Sequence, residues 1–383
     1  MSKIEVSQLS VHIWLLVVVA AITIFYAVSH KTKAEKKRCI QCITIILTCF
    51  SGLRSWQMGD VYHYCYSFLE CNAADWALDV ESHDSIGQQL FFRLIGQMNL
   101  GFEVCLFIIA AFSAITLGVL IFKYSSSPYL SYFLYICLGN YIFTLSVLKQ
   151  TIAMGFIIIA MMAILEAKPL RFLVFVGIAT LFHTPAAIFL FAYAFARKRI
   201  NFSYFVVLIL ISAIVLLFRN QIVSFVSELY YEEEMQYEVT ESFGGRFIMM
   251  LVILIASIFI RPVRNYDVRY RCVFNIIVIA AIIQIFSIYD NVFTRLSDYY
   301  FQFFIIFVPM VLESGEVQAE YYPAHRSEIR SFPREFYILA ILFISAFGVY
   351  FYINTLNGVS ALLAEFHFFW EVDTPYSLDL LGG

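Results

Sequence analysis

The sequence predicts an all-α protein, a polytopic bundle of transmembrane helices that forms a single membrane domain over residues 1–383. Hydrophobic residues make up 61% of the chain and charged residues only 14%, against about 45–50% and about 25% in soluble domains. A soluble protein with so few charges could not cover its surface with polar groups, whereas lipid accepts an apolar exterior. The aromatic share of 18% also suits lipid-facing walls and interfacial belts.

The second observation is a series of apolar runs that approach the length of about 20 residues needed to cross a bilayer. About ten full spans are expected, at Val11–Val28, Cys39–Leu53, Phe102–Phe122, Tyr129–Leu148, Thr151–Leu165, Phe202–Phe218, Phe247–Ile260, Cys272–Tyr289, Tyr299–Leu312 and Phe336–Ile353. The segment Leu170–Ala196 could be one long helix or two short arms that turn at His183. Arms of about 13 residues are short for a crossing, which favours a short or re-entrant hairpin.

The third observation is the distribution of positive charge, because Lys and Arg collect in cytoplasmic loops. If the hairpin returns the chain to its starting side, 18 of the 25 basic residues fall on that side. They are Lys31, Lys33, Lys36, Lys37, Arg38, Lys123, Lys168, Arg171, Arg197, Lys198, Arg199, Arg261, Arg264, Arg269, Arg271, Arg326, Arg330 and Arg334. This predicts an outer N-terminus, outer loops at about residues 54–101 and 220–245, and an outer C-terminal tail at about residues 355–383.

Seven basic residues remain on the outer side. They are Lys3, Arg54, Arg93, Lys149, Arg219, Arg246 and Arg295. Except for Lys3 they lie at or near the ends of apolar runs, where a long side chain can simply extend to the lipid headgroups. Six such residues at one level predict instead an outward-facing cationic cavity for a phosphate or diphosphate, since Arg offers paired donors to phosphate oxygens. Arg219 is expected to be a plain anchor.

The stretch after the second apolar run combines several chemically active side chains. Arg54, Asp60 and His63 provide a cation, a carboxylate and an imidazole. Tyr62 and Tyr66 are four residues apart and would share one face of a helix. An interfacial aromatic belt with a structural Arg–Asp pair is the alternative, but it would need neither the Gly–Asp turn nor the histidine.

Three further positions fall at the same outer level. Lys149 and Gln150 lie between two apolar runs, where the chain should turn. His183 would form the tip of the hairpin, within reach of water, although a lone histidine on an apolar face is more often structural. Arg295 lies just before Tyr299, and the Asp three residues after Arg295 could form a structural pair with it.

Together these segments resemble the motifs of EpsG-type, Wzy-like polysaccharide polymerases of bacterial capsule and exopolysaccharide pathways. The matching segments, in order over most of the chain, are Gly52–Arg54, Gly59–Asp60 with Tyr62 or Tyr66, Gln88–Ile95, Lys149–Ala153, Phe182–Ala186, and Arg295 with Tyr299 or Tyr300. Two departures stand out. Gln88 replaces an expected carboxylate, and Lys149 replaces an expected Arg, which keeps the charge but loses the planar fork.

The resemblance implies a metal-independent glycosyltransferase with a GT-C-like membrane architecture. It would join polyprenyl-diphosphate-linked oligosaccharides, carried on a lipid such as undecaprenyl diphosphate, into capsular polysaccharide, O-antigen or exopolysaccharide. The reaction would take place at the outer face of the bacterial inner membrane. A chain-length regulator protein is a further expected partner, and neither a cofactor nor nucleic acid is expected.

The expected roles follow from this chemistry, which needs cations for the diphosphate and a base for the attacking hydroxyl. The candidate diphosphate ligands are Arg54, Lys149 and Arg295, followed by Arg246 and Arg93. The candidate bases, which the sequence does not rank, are His183, Asp60 and His63. The candidate substrate-lining residues are Tyr62, Tyr66, Gln150 and Tyr299.

Two other functions compete with polymerisation. A transporter or flippase for lipid-linked sugars would also need a cationic cavity, but one open alternately to both sides and often built from internal repeats. The sequence shows no repeat, and the cations that are not assigned to inner loops all lie on the outer side. An O-antigen ligase-like, lipid-phosphate-dependent glycosyltransferase is also compatible with the outer loop at residues 220–245, which contains six Glu residues.

Overall fold

The computed structural model describes residues 3–29, 32–73, 85–230, 244–260, 267–313, 318, 329, 332–358 and 366–372. The α-helices of this part are α1 (Lys3–Ser29), α2 (Lys33–Gly52), α3 (Val61–Ala73), α4 (Ile86–Gln97), α5 (Phe102–Tyr124), α6 (Pro128–Cys137), α7 (Asn140–Ser146), α8 (Leu148–Leu165), α9 (Pro169–Phe182), α10 (Leu190–Ala196), α11 (Phe202–Leu217), α12 (Arg219–Tyr230), α13 (Gly245–Ile260), α14 (Val268–Gln284), α15 (Val292–Phe301), α16 (Phe304–Val311) and α17 (Arg334–Gly358). Short 3-10 turns occur at Thr184–Phe189, Ile285–Ile288 and Phe369–Glu371. The predicted all-α class is confirmed for these residues.

Four helices in the described part are long and apolar enough to cross a membrane. They are Phe102–Tyr124, Leu148–Leu165, Val268–Ile288 and Arg334–Gly358. Shorter apolar helices accompany them at Val11–Tyr26, Pro169–Phe182, Thr184–Ala196, Phe202–Ile214 and Gly245–Ile260. The protein is therefore a multi-pass helical membrane protein.

Two of the predicted spans are not continuous helices, and for these the prediction of one helix is wrong. The run Tyr129–Leu148 is divided between α6 and α7, because Gly139 adopts a φ of 79° that helical L-residues avoid. The run Tyr299–Leu312 is divided at residues 302–303, and α15 already begins upstream of it. Gln302 donates from Nε2 to the carbonyl oxygen of Tyr299 at 3.1 Å. This bond satisfies one of the carbonyl groups at the end of α15, where the helix itself supplies no further N–H donors.

The ambiguous segment Leu170–Ala196 forms a hairpin. The chain is extended at His183, with φ −151° and ψ 103°, before the 3-10 turn begins. The rings of Phe172 and Tyr193, one on each arm, lie 5.1 Å apart between centroids. Arg197 then donates to a backbone carbonyl in the last turn of α8 at 2.9 Å. The first arm therefore starts, and the second arm finishes, at the same end of the bundle.

Basic residues mark that end of the bundle. Glu166 follows α8 and lies 2.7 Å from Lys168, 3.3 Å from Arg171 and 3.7 Å from Lys123. The hydrogen bond from Lys168 lowers the pKa of the Glu166 carboxyl. Lys36 donates to the backbone at the end of α5 at 3.1 Å. We call this end of the bundle the basic end. It contains basic residues that the charge pattern assigns to inner loops.

Two predicted outer loops contain helices of their own. Residues 54–101 include α3 and α4, which pack against each other. Residues 220–245 include most of α12 and the first residue of α13, while residues 231–243 lie outside the described part. Of the predicted outer tail, residues 355–358 belong to α17 and residues 366–372 are also described; we call residues 366–372 the C-terminal segment. Lys31, Arg261, Arg264, Arg326 and Arg330 also lie outside the described residues.

Candidate functional site

The candidate site residues cluster where the helices reach the end opposite the basic end. From the basic end, α2 runs to Arg54 and α9 runs to His183, whereas α8 starts beside Lys149 and runs back. Asn275 of α14 donates to the carbonyl oxygen of Ala196 at 2.8 Å, so α14 also starts near the basic end. We call the opposite end the site end.

His183 and Tyr299 form the centre of the site. His183 Nδ1 lies 2.5 Å from the Tyr299 hydroxyl, and Tyr299 is fully buried. Tyr300 holds the hairpin from the same helix, since its hydroxyl donates to a backbone carbonyl of the 3-10 turn at 2.5 Å. Lys149 and Arg295 both lie within electrostatic range of the His183 imidazole. Four of the predicted site residues therefore lie in this region of the bundle.

The start of α8 joins this centre to two neighbouring helices. Gln150 is fully buried and donates from Nε2 to the backbone carbonyl oxygen of Arg295 at 2.8 Å. Its Oε1 has no hydrogen-bond partner among the described residues. Lys149 Nζ lies 6.0 Å from the ring centroid of Tyr64 on α3, a cation–π distance. The amide of Gln150 therefore positions α15, and Lys149 faces α3.

Arg54 lies deep beneath the C-terminal segment. Its side chain is only 1% exposed, and Nη1 donates to the carbonyl oxygen of Ser51. The guanidinium Nε and Nη2 have no hydrogen-bond partner within the described ranges. Ser55 N donates to the carbonyl oxygen of His367 at 2.7 Å, and an antiparallel bridge pairs Arg54 with Phe368. The C-terminal segment thus covers a cation that the sequence places in an open cavity.

Aromatic rings enclose the region around Arg54. The imidazole of His12, from α1, is fully buried, and its ring centroid lies 5.0 Å from Phe366, 5.9 Å from Phe50 and 6.2 Å from Tyr141. Neither ring nitrogen of His12 has a hydrogen-bond partner in the described part of the chain. Sequence reasoning missed His12, because a single polar residue in an apolar run carries no positional signal.

A small internal cavity lies between the last turn of α2 and the first turn of α8. Ser51, which accepts from Arg54, lines this cavity together with Tyr141 and Thr151. Thr151 directly follows Gln150 in the sequence. The segment that ends in Arg54 and the helix that begins beside Lys149 therefore approach each other inside the bundle.

Arg246, a predicted diphosphate ligand, has a counter-ion of its own. Its Nη1 lies 2.5 Å from Asp298 Oδ1, and both side chains are largely buried. The guanidinium also lies 4.6 Å from the ring centroid of Phe301. A buried charge with a close partner is already compensated, so this geometry suits a residue that positions α15.

Helix α4 supports the hairpin tip from the side. A Cβ atom added at Gly87 would lie 2.8 Å from the carbonyl oxygen of Leu181, so the two backbones are in close contact. Gln88 and Arg93 are both buried within this helix. Arg93 and Gln88, where the sequence departs from the expected carboxylate, therefore both lie on a helix that packs against the end of α9.

The remaining candidates lie on the outside of α3. The predicted turn is present, because Gly59 adopts a φ of 50°. Asp60, His63, Tyr62 and Tyr66 are all exposed. The Tyr62 and His63 rings lie 5.6 Å apart. Their exposure separates these four residues from the buried Tyr299 hydroxyl and its contact with His183.

Sequence comparison assigns the chain to a family. The model of the EpsG family matches residues 37–355. The chain belongs to the EpsG family. This is the family of Wzy-like polysaccharide polymerases, and the resemblance inferred from the motifs is confirmed. No curated protein and no solved structure matches the chain. The EpsG match includes every predicted site residue, but His12 and the C-terminal segment lie outside it.

Proposed function

We propose that this EpsG-family protein polymerises polyprenyl-diphosphate-linked oligosaccharide repeat units at the outer face of the bacterial cytoplasmic membrane. The observation that carries the proposal is the His183–Tyr299 contact beside Lys149 and Arg295. A potential base next to two cations suits a reaction in which a hydroxyl loses a proton while a diphosphate leaves. The basic end supports the orientation, because cytoplasmic loops are rich in Lys and Arg.

The reaction transfers the growing chain from its lipid to a new repeat unit. A sugar hydroxyl oxygen of one lipid-linked unit forms a glycosidic bond with the anomeric carbon of the growing chain. The bond between that carbon and the diphosphate oxygen breaks, and its electron pair leaves with the lipid diphosphate. The hydroxyl proton goes to a base, while Lys149 and Arg295 offset the negative charge that develops on the leaving group.

His183 is the base in this proposal. When its Nδ1–H donates to the Tyr299 oxygen, the lone pair on Nε2 remains available for the proton. Asp60, just before α3, and His63, on α3, are less suitable, because both are exposed and water would compete for their hydrogen bonds. Tyr299 is a positioning residue, since it acts by fixing the orientation of the imidazole.

Arg54 holds a phosphate group in this proposal. A guanidinium buried without an acidic partner is destabilising by several kcal/mol, and the described residues provide Arg54 only with a backbone carbonyl. A phosphate oxygen would supply the missing charge and accept from Nε and Nη2. The internal cavity lined by Ser51 and Thr151 supports this assignment, because Thr151 belongs to the first turn of α8.

The finer features of the proposal rest on family membership. The product is a capsular polysaccharide, an O-antigen or an exopolysaccharide, and the carrier is undecaprenyl diphosphate. The catalytic step is independent of metal, the architecture is GT-C-like, and a chain-length regulator protein is the expected partner.

The test is the polymer ladder made by purified protein in proteoliposomes from a defined lipid-linked oligosaccharide. Arg54→Ala and His183→Ala should lose the ladder at normal membrane levels. Arg219→Ala is the matched control, because Arg219 stacks on Tyr289 at 5.8 Å and is assigned no part in the reaction. A normal ladder from both Arg54→Ala and His183→Ala would falsify the site assignment. Wild-type protein that only translocates the substrate, or transfers it once, would instead be a flippase or a ligase.

A further inference from the structure

An apolar groove runs between α13 and α17 in the side of the bundle. It encloses a cavity of about 160 Å³, and all its lining residues are apolar. Leu138, Phe304 and Val308 form a buried floor. Val252 and Phe343 form the rims and are 56% and 72% exposed. The groove therefore opens sideways, where a membrane-spanning helix bundle meets lipid.

One end of the groove lies within one helical turn of Arg246. Arg246 is the second residue of α13, and groove-lining Met249 follows within one helical turn. The guanidinium of Arg246 lies over Phe301, and Phe301 stacks on Phe304 of the groove floor with 5.4 Å between ring centroids. These contacts lead from charged residues at the site end into the groove.

The helix that carries the site residues also leads into the groove. Arg295 and Tyr299 belong to α15, and after the short break at residues 302–303 the chain continues as α16, which supplies the floor. A molecule with its phosphate groups beside Arg295 could therefore extend an apolar chain past Phe301 into the groove.

We propose that this groove holds the isoprenoid chain of the polyprenyl diphosphate carrier while its diphosphate lies beside Lys149 and Arg295. The inference rests on the proposed function. The carrier combines a long apolar chain, which must stay in lipid, with a charged group that must reach a partly buried base. A groove that opens sideways at one end and leads to cations at the other meets both requirements.

The test is photo-crosslinking with a sugar-free probe, farnesyl diphosphate that carries a benzophenone at the end of its chain. The full chain is reconstituted in vesicles of phosphatidylethanolamine and phosphatidylglycerol, irradiated, and mapped by peptide mass spectrometry. We expect label on α13 and α17 at the groove, and we expect undecaprenyl diphosphate to compete with it. Label spread evenly over the lipid-facing helices, or label that undecaprenyl diphosphate does not displace, overturns the proposal in favour of ordinary phospholipid chains.

Variants that fill the groove make the result specific. Ile253→Trp and Ile344→Trp place a bulky ring in the groove from opposite walls. Each should reduce labelling roughly tenfold, because the added ring takes the space that the isoprenoid chain would occupy. Ile255→Trp is the matched control, because Ile255 is exposed on the same helix and does not line the groove. Membrane level and thermal stability are measured for all three. Unchanged labelling in both filled variants overturns the proposal.

Failure of this inference can be distinguished from failure of the proposed function. The probe carries no sugar, so its labelling reports occupancy of the groove without any polymerisation. The ladder assay reports the reaction separately. Labelling without a ladder would retain the groove and reject polymerisation, whereas a ladder without groove labelling would retain polymerisation and reject the groove.

Discussion

At the scale of single residues, the contact with Tyr299 determines how His183 can transfer a proton. Because Nδ1 lies 2.5 Å from the Tyr299 hydroxyl, proton transfer between His183 and a substrate must use Nε2. The base needs a tautomer with the proton on Nδ1, and that tautomer is favoured only if the Tyr299 oxygen accepts from it.

Removing the base should therefore lower the rate of polymer formation more than removing the hydrogen bond that positions the base. His183→Ala should lower the initial rate of polymer formation about 10²–10⁴-fold, the usual contribution of a general base. Tyr299→Phe should lower it by about tenfold at most, since it removes one hydrogen bond of about 0.5–1.5 kcal/mol. Rates are measured in proteoliposomes across a range of pH. An equal loss in both variants would mean that Tyr299 itself takes part in proton transfer.

The Arg246–Asp298 pair should affect stability more than chemistry. Removing one member of a buried pair leaves an uncompensated charge, so Asp298→Leu should destabilise the protein by about 3–5 kcal/mol. The double variant Arg246→Met with Asp298→Leu should recover most of that loss. Thermal unfolding followed by fluorescence-detected size exclusion measures both. A double variant no better than Asp298→Leu would show that the pair is not the reason for the loss.

Single positions in the site could be predicted from the sequence, but their pairing could not. Lys149 and Arg295 were identified near the ends of apolar runs on the outer side, and His183 was identified at the expected tip of the hairpin. The contact between His183 and Tyr299 joins residues 116 positions apart, and the bond from Gln150 to Arg295 spans 145 positions. Such pairs depend on which helices become neighbours, and local patterns contain no information on that.

At the scale of elements, close backbone contact between α4 and α9 holds the hairpin tip. Gly87→Ala would place a Cβ 2.8 Å from a backbone oxygen, so α4 must move away from the tip. We expect a clear loss of polymerase activity at a normal membrane level. Gly177→Ala on α9 is the control, because nothing lies within 4 Å of its added Cβ and alanine favours helix by about 0.5–1 kcal/mol. Equal activity in the two variants would contradict a positioning role for α4.

Charge and length predicted the hairpin correctly, while hydropathy missed the broken spans. The hairpin was recognisable because an odd number of crossings would have placed Arg197 among outer residues. The breaks at Gly139 and at residues 302–303 lie within predominantly apolar runs, each beside a polar residue, Asn140 or Gln302. Hydropathy reports depth in the membrane, not helix continuity. Glycine is common in membrane helices, so the presence of Gly139 alone did not predict a helix break with a φ of 79°.

At the scale of the whole molecule, α1 and the C-terminal segment come together beside the end of α2. Tyr352 of α17 donates to the backbone oxygen of His12 on α1 at 3.0 Å, and the C-terminal segment covers the end of α2. The segment lies beyond the family match. A stop codon after Gly358 should therefore reduce polymer formation, because Arg54 loses its cover. A stop codon after Val372 keeps the segment and should retain activity, and equal activity of both truncations contradicts this role.

The orientation of the whole bundle follows from the separation of its two ends. Lys168 and Asp60 lie outside the helices at the basic end and the site end respectively, and both are exposed. Cytoplasmic loops attract Lys and Arg, so the site end should face outward. In a variant whose eight native cysteines are replaced, Asp60→Cys should react with an impermeant maleimide on intact spheroplasts. Lys168→Cys should react only after the membrane is permeabilised. The reverse pattern would place the site in the cytoplasm, where polymerisation of exported repeat units is impossible, and would reject the proposed function together with the orientation.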